Sequence, residues 1–479
     1  MGTADGRVRT WVACVVAVLV AAAVAVASLN LTGRLPGGLV TDRPTPAPVA
    51  TPPLDPRPVD APDVLEPQPA QSASGMSTVP VDALDVVLAS GSLGPDPGAL
   101  VLDVESAATL LDRSGDVART PASVAKLATA AAALVTLDPF SRLRTRVVQG
   151  SAPGELVLVG AGDTTLTSRR PRTGVYPSRA SLAELADATA SAAAEAGMAQ
   201  VVVRVDDTLF TGAATSPDWP ASYVGSGVVS PVSALSVDAG RVSPTSTSRE
   251  PDPALAAGRE LARLLARRGL TVVGEVARAT APPAAEELAA VSSPTVGELV
   301  ELMLTSSDND LAESLLRLVA VGAGRPGTFT DGGEVVAETL LDLGVPTDGL
   351  VLLDGSGLAR GSSIAPETLA RLLVTAADGT RPALGLLVSG LPVAGFSGTL
   401  SLRFGAGRAG TAAGLVRAKT GTLSGVSTLA GLASVAGRPV VFVVMSDRVP
   451  ADTLAARDAL DRFAATLVGA PGTPPDGGG

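Results

Sequence analysis

The chain holds 36 lysines and arginines, and only two of them, Lys126 and Lys419, are lysines. Arginine does not give up its proton in a protein and lysine does, so proton chemistry by a basic side chain is confined to these two positions. There is no histidine, which excludes a Ser-His-Asp triad. Ser123 lies three residues before Lys126, in Pro121-Ala-Ser-Val-Ala-Lys-Leu127, at the head of the apolar run Leu127–Leu137. That run predicts a helix, and side chains three apart on a helix share a face. A serine becomes a strong nucleophile when a neighbour takes its proton. Lys126 can do so if burial or a second cation lowers its pKa. The other lysine heads Lys419-Thr420-Gly421-Thr422, and between the two lies Ser307-Asp308-Asn309.

Each motif alone is weak. A serine three before a given lysine arises by chance about one time in ten, and a lysine followed by Thr-Gly roughly one in a hundred. Each also has a purely structural reading: Ser123 as a helix N-cap, Ser307-Asp308-Asn309 as a loop or cap before a helix at Leu311–Val319, and Lys419-Thr-Gly as a turn at a strand end. The ordered set S-x-x-K, S-D-N and K-T-G, using both lysines of the chain, argues instead for one site.

Composition narrows the rest. At 479 residues there is room for two to three domains. Hydrophobic residues make up 46% and aromatics only 2%, so Ala, Val and Leu must fill the core. The net charge of −11 and the lack of a basic cluster speak against a nucleic-acid partner. One cysteine, Cys14, and no histidine remove most zinc sites and any intrachain disulfide.

The elements that must position these residues follow in order. Arg7 and Arg9 precede an uncharged apolar run, Trp11–Leu29, of membrane-span length. It reads as an anchor with the rest of the chain outside, or as a signal cleaved near Ala25-Val26-Ala27. From Pro36 to Gly75 proline is dense, a polyproline spacer able to reach up to ~100 Å. Structure is expected from Val79. The expected domains are residues 1–35 (anchor), 36–78 (linker), 79–144 (first catalytic part), 145–248 (an insert), 249–468 (second catalytic part) and 469–479 (tail). Ala99–Asp103 reads as a buried strand. Val147, Leu156–Val159, Val201–Val205 and Val228–Val237 read as β-like runs, which makes the insert β-rich. Helices are expected at Ala254–Arg268, Thr295–Leu304, Leu311–Val319, Glu334–Leu343, Pro366–Ala376 and Ala451–Leu467. Strands are expected at Leu270–Val276, Val416–Thr420, Thr428–Ser434 and Val440–Ser446. Such an order suggests one mixed α/β domain interrupted in its middle.

With those residues named, the chain resembles the penicillin-binding, DD-peptidase superfamily, and within it the D-alanyl-D-alanine carboxypeptidase/endopeptidase family S13. Further matching stretches are Gly160-Ala-Gly-Asp-Thr-Thr-Leu166, Asp354-Gly-Ser-Gly-Leu358, Leu391-Pro-Val-Ala-Gly395 with Gly398-Thr-Leu400, and Ala418-Lys-Thr-Gly-Thr-Leu423. The 184 residues from Ser123 to Ser307 are more than class A β-lactamases use, and imply the insert of S13 proteins. The resemblance implies a β-lactamase/transpeptidase-like catalytic domain, an antiparallel sheet flanked by helices, with an inserted domain.

It also implies roles. Ser123 attacks the carbonyl between two D-alanines and Lys126 takes its proton. Ser307 relays a proton to the leaving amine, and Asn309 holds Lys126 and the substrate amide. The N–H groups of Ser123 and Thr422 form the oxyanion hole. Lys419, Thr420, Gly421 and Thr422 receive the terminal carboxylate. Asp308 is expected to be structural. The implied partners are peptidoglycan stem peptides, β-lactam inhibitors and, through the N-terminal run, a membrane. No metal or cofactor is required. Two alternatives remain at this point: a serine β-lactamase of the same fold, and an inactive wall-binding protein.

Overall fold

The computed structural model describes residues 79–405, 407–450 and 453–469. The apolar run Trp11–Leu29, the proline-rich segment and the tail beyond 469 lie outside the described residues. Among the described residues, no helix is long and apolar enough to cross a membrane.

The first layer is a five-stranded sheet in the order β2-β1-β11-β10-β9. Its strands are β1 (Gly98–Asp103), β2 (Thr109–Arg113), β9 (Val416–Leu423), β10 (Val426–Val435) and β11 (Arg438–Ser446). All its pairs are antiparallel, and β1 joins β11, so both ends of the described chain meet in one sheet. The run Val440–Met445 is buried on both faces. Val440, Phe442 and Val444 pack with α1 (Val81–Leu88) and α9 (Thr453–Leu467) on one side. Val441, Val443 and Met445 face the opposite core, which includes α2 (Lys126–Thr136) and α8 (Pro366–Ala377). That is the period of two expected of a strand, with apolar residues on both faces because both are covered.

Helix α2 is buried on nearly every side: Leu127, Ala128 and Ala130–Leu134 are all covered. It packs against α5 (Val296–Ser306), α6 (Asn309–Gly322) and α7 (Phe329–Asp342). Four consecutive alanines present little side chain, which lets neighbouring helices approach closely and suits a chain so poor in aromatics.

A second sheet runs in the order β6-β5-β4-β3-β8, with β7 also on β5. Its strands are β3 (Arg142–Gln149), β4 (Glu155–Val159), β5 (Gln200–Asp206), β6 (Thr271–Val272), β7 (Ala277–Arg278) and β8 (Glu287–Thr295). Here the structure differs from the expectation in three ways. The sheet does not end at 248, because β8 returns to pair with β3, and Pro253–Arg267 (expected in the catalytic part) packs on β5. The insert is not simply β-rich: helix α3 (Leu182–Glu195), capped by the Ser181 hydroxyl, crosses from β4 to the parallel strand β5, and α4 (Pro253–Arg267), capped by Asp252, follows. Small residues such as Ala, Ser and Thr give α3 only a faint apolar stripe beside the stronger valine runs that flank it. Finally, Val228–Val237 forms no strand. Ser230-Pro231 interrupts it, proline lacking a ladder donor. The segment lies along α6, where Ser230 N–H donates to Asp310 Oδ1 at 2.6 Å.

Candidate active site

Ser123 sits in a 3₁₀ turn, Ala122–Ala125, that runs directly into α2. No side chain caps the start of that turn or of α2, so the structural reading of Ser123 as an N-cap does not apply. Lys126 is the first residue of α2 and is fully buried. Its Nζ lies 3.0 Å from Ser123 Oγ, 2.9 Å from Asn309 Oδ1 and 2.9 Å from the Ser356 carbonyl. The amide of Asn309 is oriented unambiguously, because its Nδ2 donates to the Val228 carbonyl at 2.9 Å. Two of the three partners of Nζ can therefore only accept. The third, a hydroxyl, can do either. A neutral amine gives its two hydrogens to Asn309 and Ser356 and turns its lone pair to the Ser123 hydroxyl. That is the arrangement needed to remove the Ser123 proton.

Burial drives Lys126 down to about 8, against the opposing pull of Glu313 and Asp354. Lys419, also fully buried, is pushed well below its ordinary value by burial and by Lys126. Its Nζ donates to Ser307 Oγ and to the Thr420 carbonyl, each at 2.8 Å. The site thus holds two serine–lysine pairs, Ser123 with Lys126 and Ser307 with Lys419. Ser307 closes α5 in the left-handed region at φ 58°. For a residue with a Cβ this costs on the order of 1–3 kcal/mol, and such strain concentrates at functional positions. Asp308 caps α6 by accepting from Leu311 N–H at 2.9 Å, the structural role expected of it.

Strand β9 is the edge strand, and it brings the remaining residues. A Cβ on Gly421 would come within 2.2 Å of Thr428 Oγ1, 2.9 Å of the Pro121 carbonyl and 3.0 Å of Ser123 N. Gly421 therefore lets the strand lie against the nucleophile's backbone. Along the edge, the Val416 carbonyl and the Ala418 N–H bond to the segment Pro392–Ala394. By the alternation of an antiparallel strand, the backbone groups of Thr420 and Thr422 point the same way, beyond the reach of that segment. The Thr420 hydroxyl meets that of Thr399 at 3.2 Å, while Thr422 is exposed.

Three residues of the site escaped the sequence reading. The Ser356 carbonyl is a direct partner of Lys126. Glu313 and Asp354, both buried, hold the loop that carries it. In the sequence, Asp354-Gly-Ser-Gly-Leu358 stands out only as a stretch resembling the family's, with no role attached. Glu313 could have been found: it follows Asn309 by four residues, one turn further along the same helix face.

This geometry sets a buried lysine amine within hydrogen-bond distance of a serine hydroxyl, the arrangement of a serine–lysine hydrolase site. The chain matches the D-Ala-D-Ala carboxypeptidase 3 (S13) family over residues 81–254 and 245–467, and it belongs to that family. It is 37% identical over 428 residues to carboxypeptidase DacB of Mycolicibacterium smegmatis, covering 85% of this chain and 90% of that one. It is 37% identical over 396 residues to a carboxypeptidase of Mycobacterium tuberculosis, covering 81% and 83%. It is 31% identical over 424 residues to the D-alanyl-D-alanine carboxypeptidase of an Actinomadura species, covering 73% and 77%. Among solved structures, penicillin binding protein 4 of Haemophilus influenzae shares the fold, with a TM-score of 0.66 at 22% identity over 80% of this chain and 98% of that one.

Proposed function

We propose that this chain removes the terminal D-alanine from peptidoglycan stem peptides ending in D-Ala-D-Ala, through an acyl-enzyme on Ser123. Membership of the S13 family makes it a serine D-Ala-D-Ala carboxypeptidase. The single observation that carries the mechanism is the Lys126 Nζ, 3.0 Å from Ser123 Oγ and held there by two acceptors.

Neutral Lys126 takes the proton of Ser123 as Oγ bonds to the penultimate carbonyl carbon. Charge develops on the carbonyl oxygen, where the N–H groups of Ser123 and Thr422 receive it. The amide C–N bond breaks as Ser307 Oγ relays to the leaving nitrogen the proton that Lys126 took from Ser123, which leaves Lys126 neutral again. Water then attacks the ester carbonyl, its proton passing to Lys126 and from there to Ser123 Oγ, 3.0 Å away, as the C–Oγ bond breaks and the acid is released. Thr420, Thr422 and Lys419 face the terminal carboxylate, whose charge opposes the effect of burial and favours the Lys419 ammonium when substrate is bound. That charge separates this substrate from an internal peptide. A β-lactam presents the same carbonyl and carboxylate and acylates Ser123 in the dipeptide's place. The H. influenzae protein has also been solved in complex with a β-lactam. We place the enzyme outside the cytoplasmic membrane, anchored by Trp11–Leu29, where stem peptides are found.

The test is D-alanine release from a peptide ending D-Ala-D-Ala and from the same peptide amidated at its C-terminus. Release from the first and loss with the second is expected, and equal rates would remove the carboxylate site. Nitrocefin separates the related chemistry: one stoichiometric burst is expected, and sustained turnover would make the chain a β-lactamase. Digestion of purified peptidoglycan then reads whether cross-linked peptides are cut as well.

A further inference from the structure

Behind the nucleophile lies a buried acidic layer that the reaction as described leaves unused. Glu313, fully buried on α6, accepts from Gly355 N–H at 2.8 Å with one oxygen and from Ser356 N–H at 3.0 Å with the other. Asp354, also fully buried, accepts from Gly357 N–H at 2.8 Å, Ala359 N–H at 2.6 Å and Trp219 Nε1–H at 2.7 Å. The Gly357 N–H belongs to the same peptide unit as the Ser356 carbonyl, which receives Lys126 Nζ at 2.9 Å. One planar group therefore connects Asp354 to Lys126, and its dipole points its negative end at the amine. The loop has no freedom to tilt. A Cβ on Gly355 would meet the Ala312 carbonyl at 2.4 Å, and one on Gly357 the Ala122 carbonyl at 2.0 Å, so the loop is wedged between α6 and the turn that carries Ser123.

We propose that Glu313 is a positioning residue for Lys126: it fixes the Gly355–Gly357 loop that aims Nζ at Ser123, and its charge sets the pH at which Lys126 becomes able to take the serine proton. This rests on the reading of Lys126 as the base. The charged groups that act on Lys126 are Glu313, Asp308 and Asp310 from α6 and Asp354 from the loop, while Lys126 in turn acts on Lys419 of β9, and Glu313 also faces the buried Arg317 one turn along α6. Glu313 is the strongest of those favouring the ammonium. Burial and Asp354 in turn push Glu313 up to about 8, so the two groups compete for a proton in the same pH range. Replacing Glu313 by an uncharged isostere removes that competitor and the negative charge together. The ammonium of Lys126 is then less favoured, and the neutral amine persists to lower pH.

The chain's two lysines make this measurable directly. The full chain labelled with ¹³C at lysine Cε gives two side-chain signals, and Lys419→Arg leaves only that of Lys126. In Glu313→Gln the midpoint of the Lys126 signal is expected to fall by about one pH unit. The acid limb of the pH profile for acylation by a fluorescent penicillin should move the same way. A purely structural role would lower acylation at every pH and leave both midpoints in place, which overturns the proposal. A signal that moves while the acylation limb stays would leave Glu313 in control of Lys126 and overturn Lys126 as the base. If Glu313→Gln does not fold, the wild-type Lys126 titration decides. Two inflections, one from its own proton and one from that of its carboxyl neighbour, support the coupling, and a single inflection rejects it.

Discussion

At the scale of single residues, the two lysines share charge but not task. Lys126→Arg keeps a cation beside Ser123 yet removes any group able to take a proton, since guanidinium stays protonated. Covalent labelling by a fluorescent penicillin should fall by ~10²-fold or more, as for the loss of a general base. Lys419→Arg should reduce labelling and leave it measurable, because pairing with a carboxylate needs only charge and a donor. Equal labelling of the two variants would refute the serine–lysine mechanism. The wild type should show its own pH signature. With Lys126 near 8, only about a tenth of it is neutral at pH 7. Acylation should therefore climb with pH through about 8 and level off above it, read as the initial rate of penicillin labelling. The residues behind this were plain in the sequence, because histidine was absent and lysine nearly so. What could not be read was the donor accounting at Nζ. The Ser356 carbonyl and the Val228 carbonyl that orients Asn309 are backbone groups, and nothing in their side chains announces them.

Elements bring these residues together, and there two small substitutions separate catalysis from stability. Gly421→Ala places a methyl against Thr428 and the backbone of Ser123. Strand β9 must then move off the nucleophile's turn, and labelling should drop about 10²-fold through misplacement of the oxyanion donors. Thermal unfolding would shift little, since β9 is an edge strand. Asp308→Ala should do the opposite: a loss of ~1 kcal/mol from the α6 cap, seen in thermal or urea unfolding, with labelling retained to within a few fold. A large labelling loss in Asp308→Ala would give that carboxylate a role in the chemistry. Most elements near the site were legible, because β9 to β11 and helices α5 to α8 carry strong apolar periodicity. The second sheet was less so. Its closing strand β8 pairs with β3 between residues as far apart as Arg142 and Thr295, and no local pattern encodes a partner so far away. The periodicity of α4 declares a helix with one buried face, without naming the sheet it covers.

For the whole molecule, the described fold completes itself between Val79 and Gly469, with β1 beside β11 and α1 packed against α9. Residues 80–468 expressed alone should fold, unfold cooperatively and acylate at the rate of the full chain. In the full chain, limited proteolysis should cut first within Pro36–Gly75, whose sequence is dense in proline and small residues. Early cuts inside 296–467 instead would show that the helices and strands around the first sheet do not form one unit.

The two buried lysines have a consequence at the molecular surface. Every other basic side chain in the sequence is an arginine, and both lysines have no exposed area. The folded exterior among the described residues therefore offers no primary amine to an electrophile. Acyl transfer to amines is the reaction by which peptide cross-links form, and the described residues present no acceptor amine of their own. An amine-selective ester should leave the described part of the native protein unmodified, and should find Lys126 and Lys419 only once the chain unfolds.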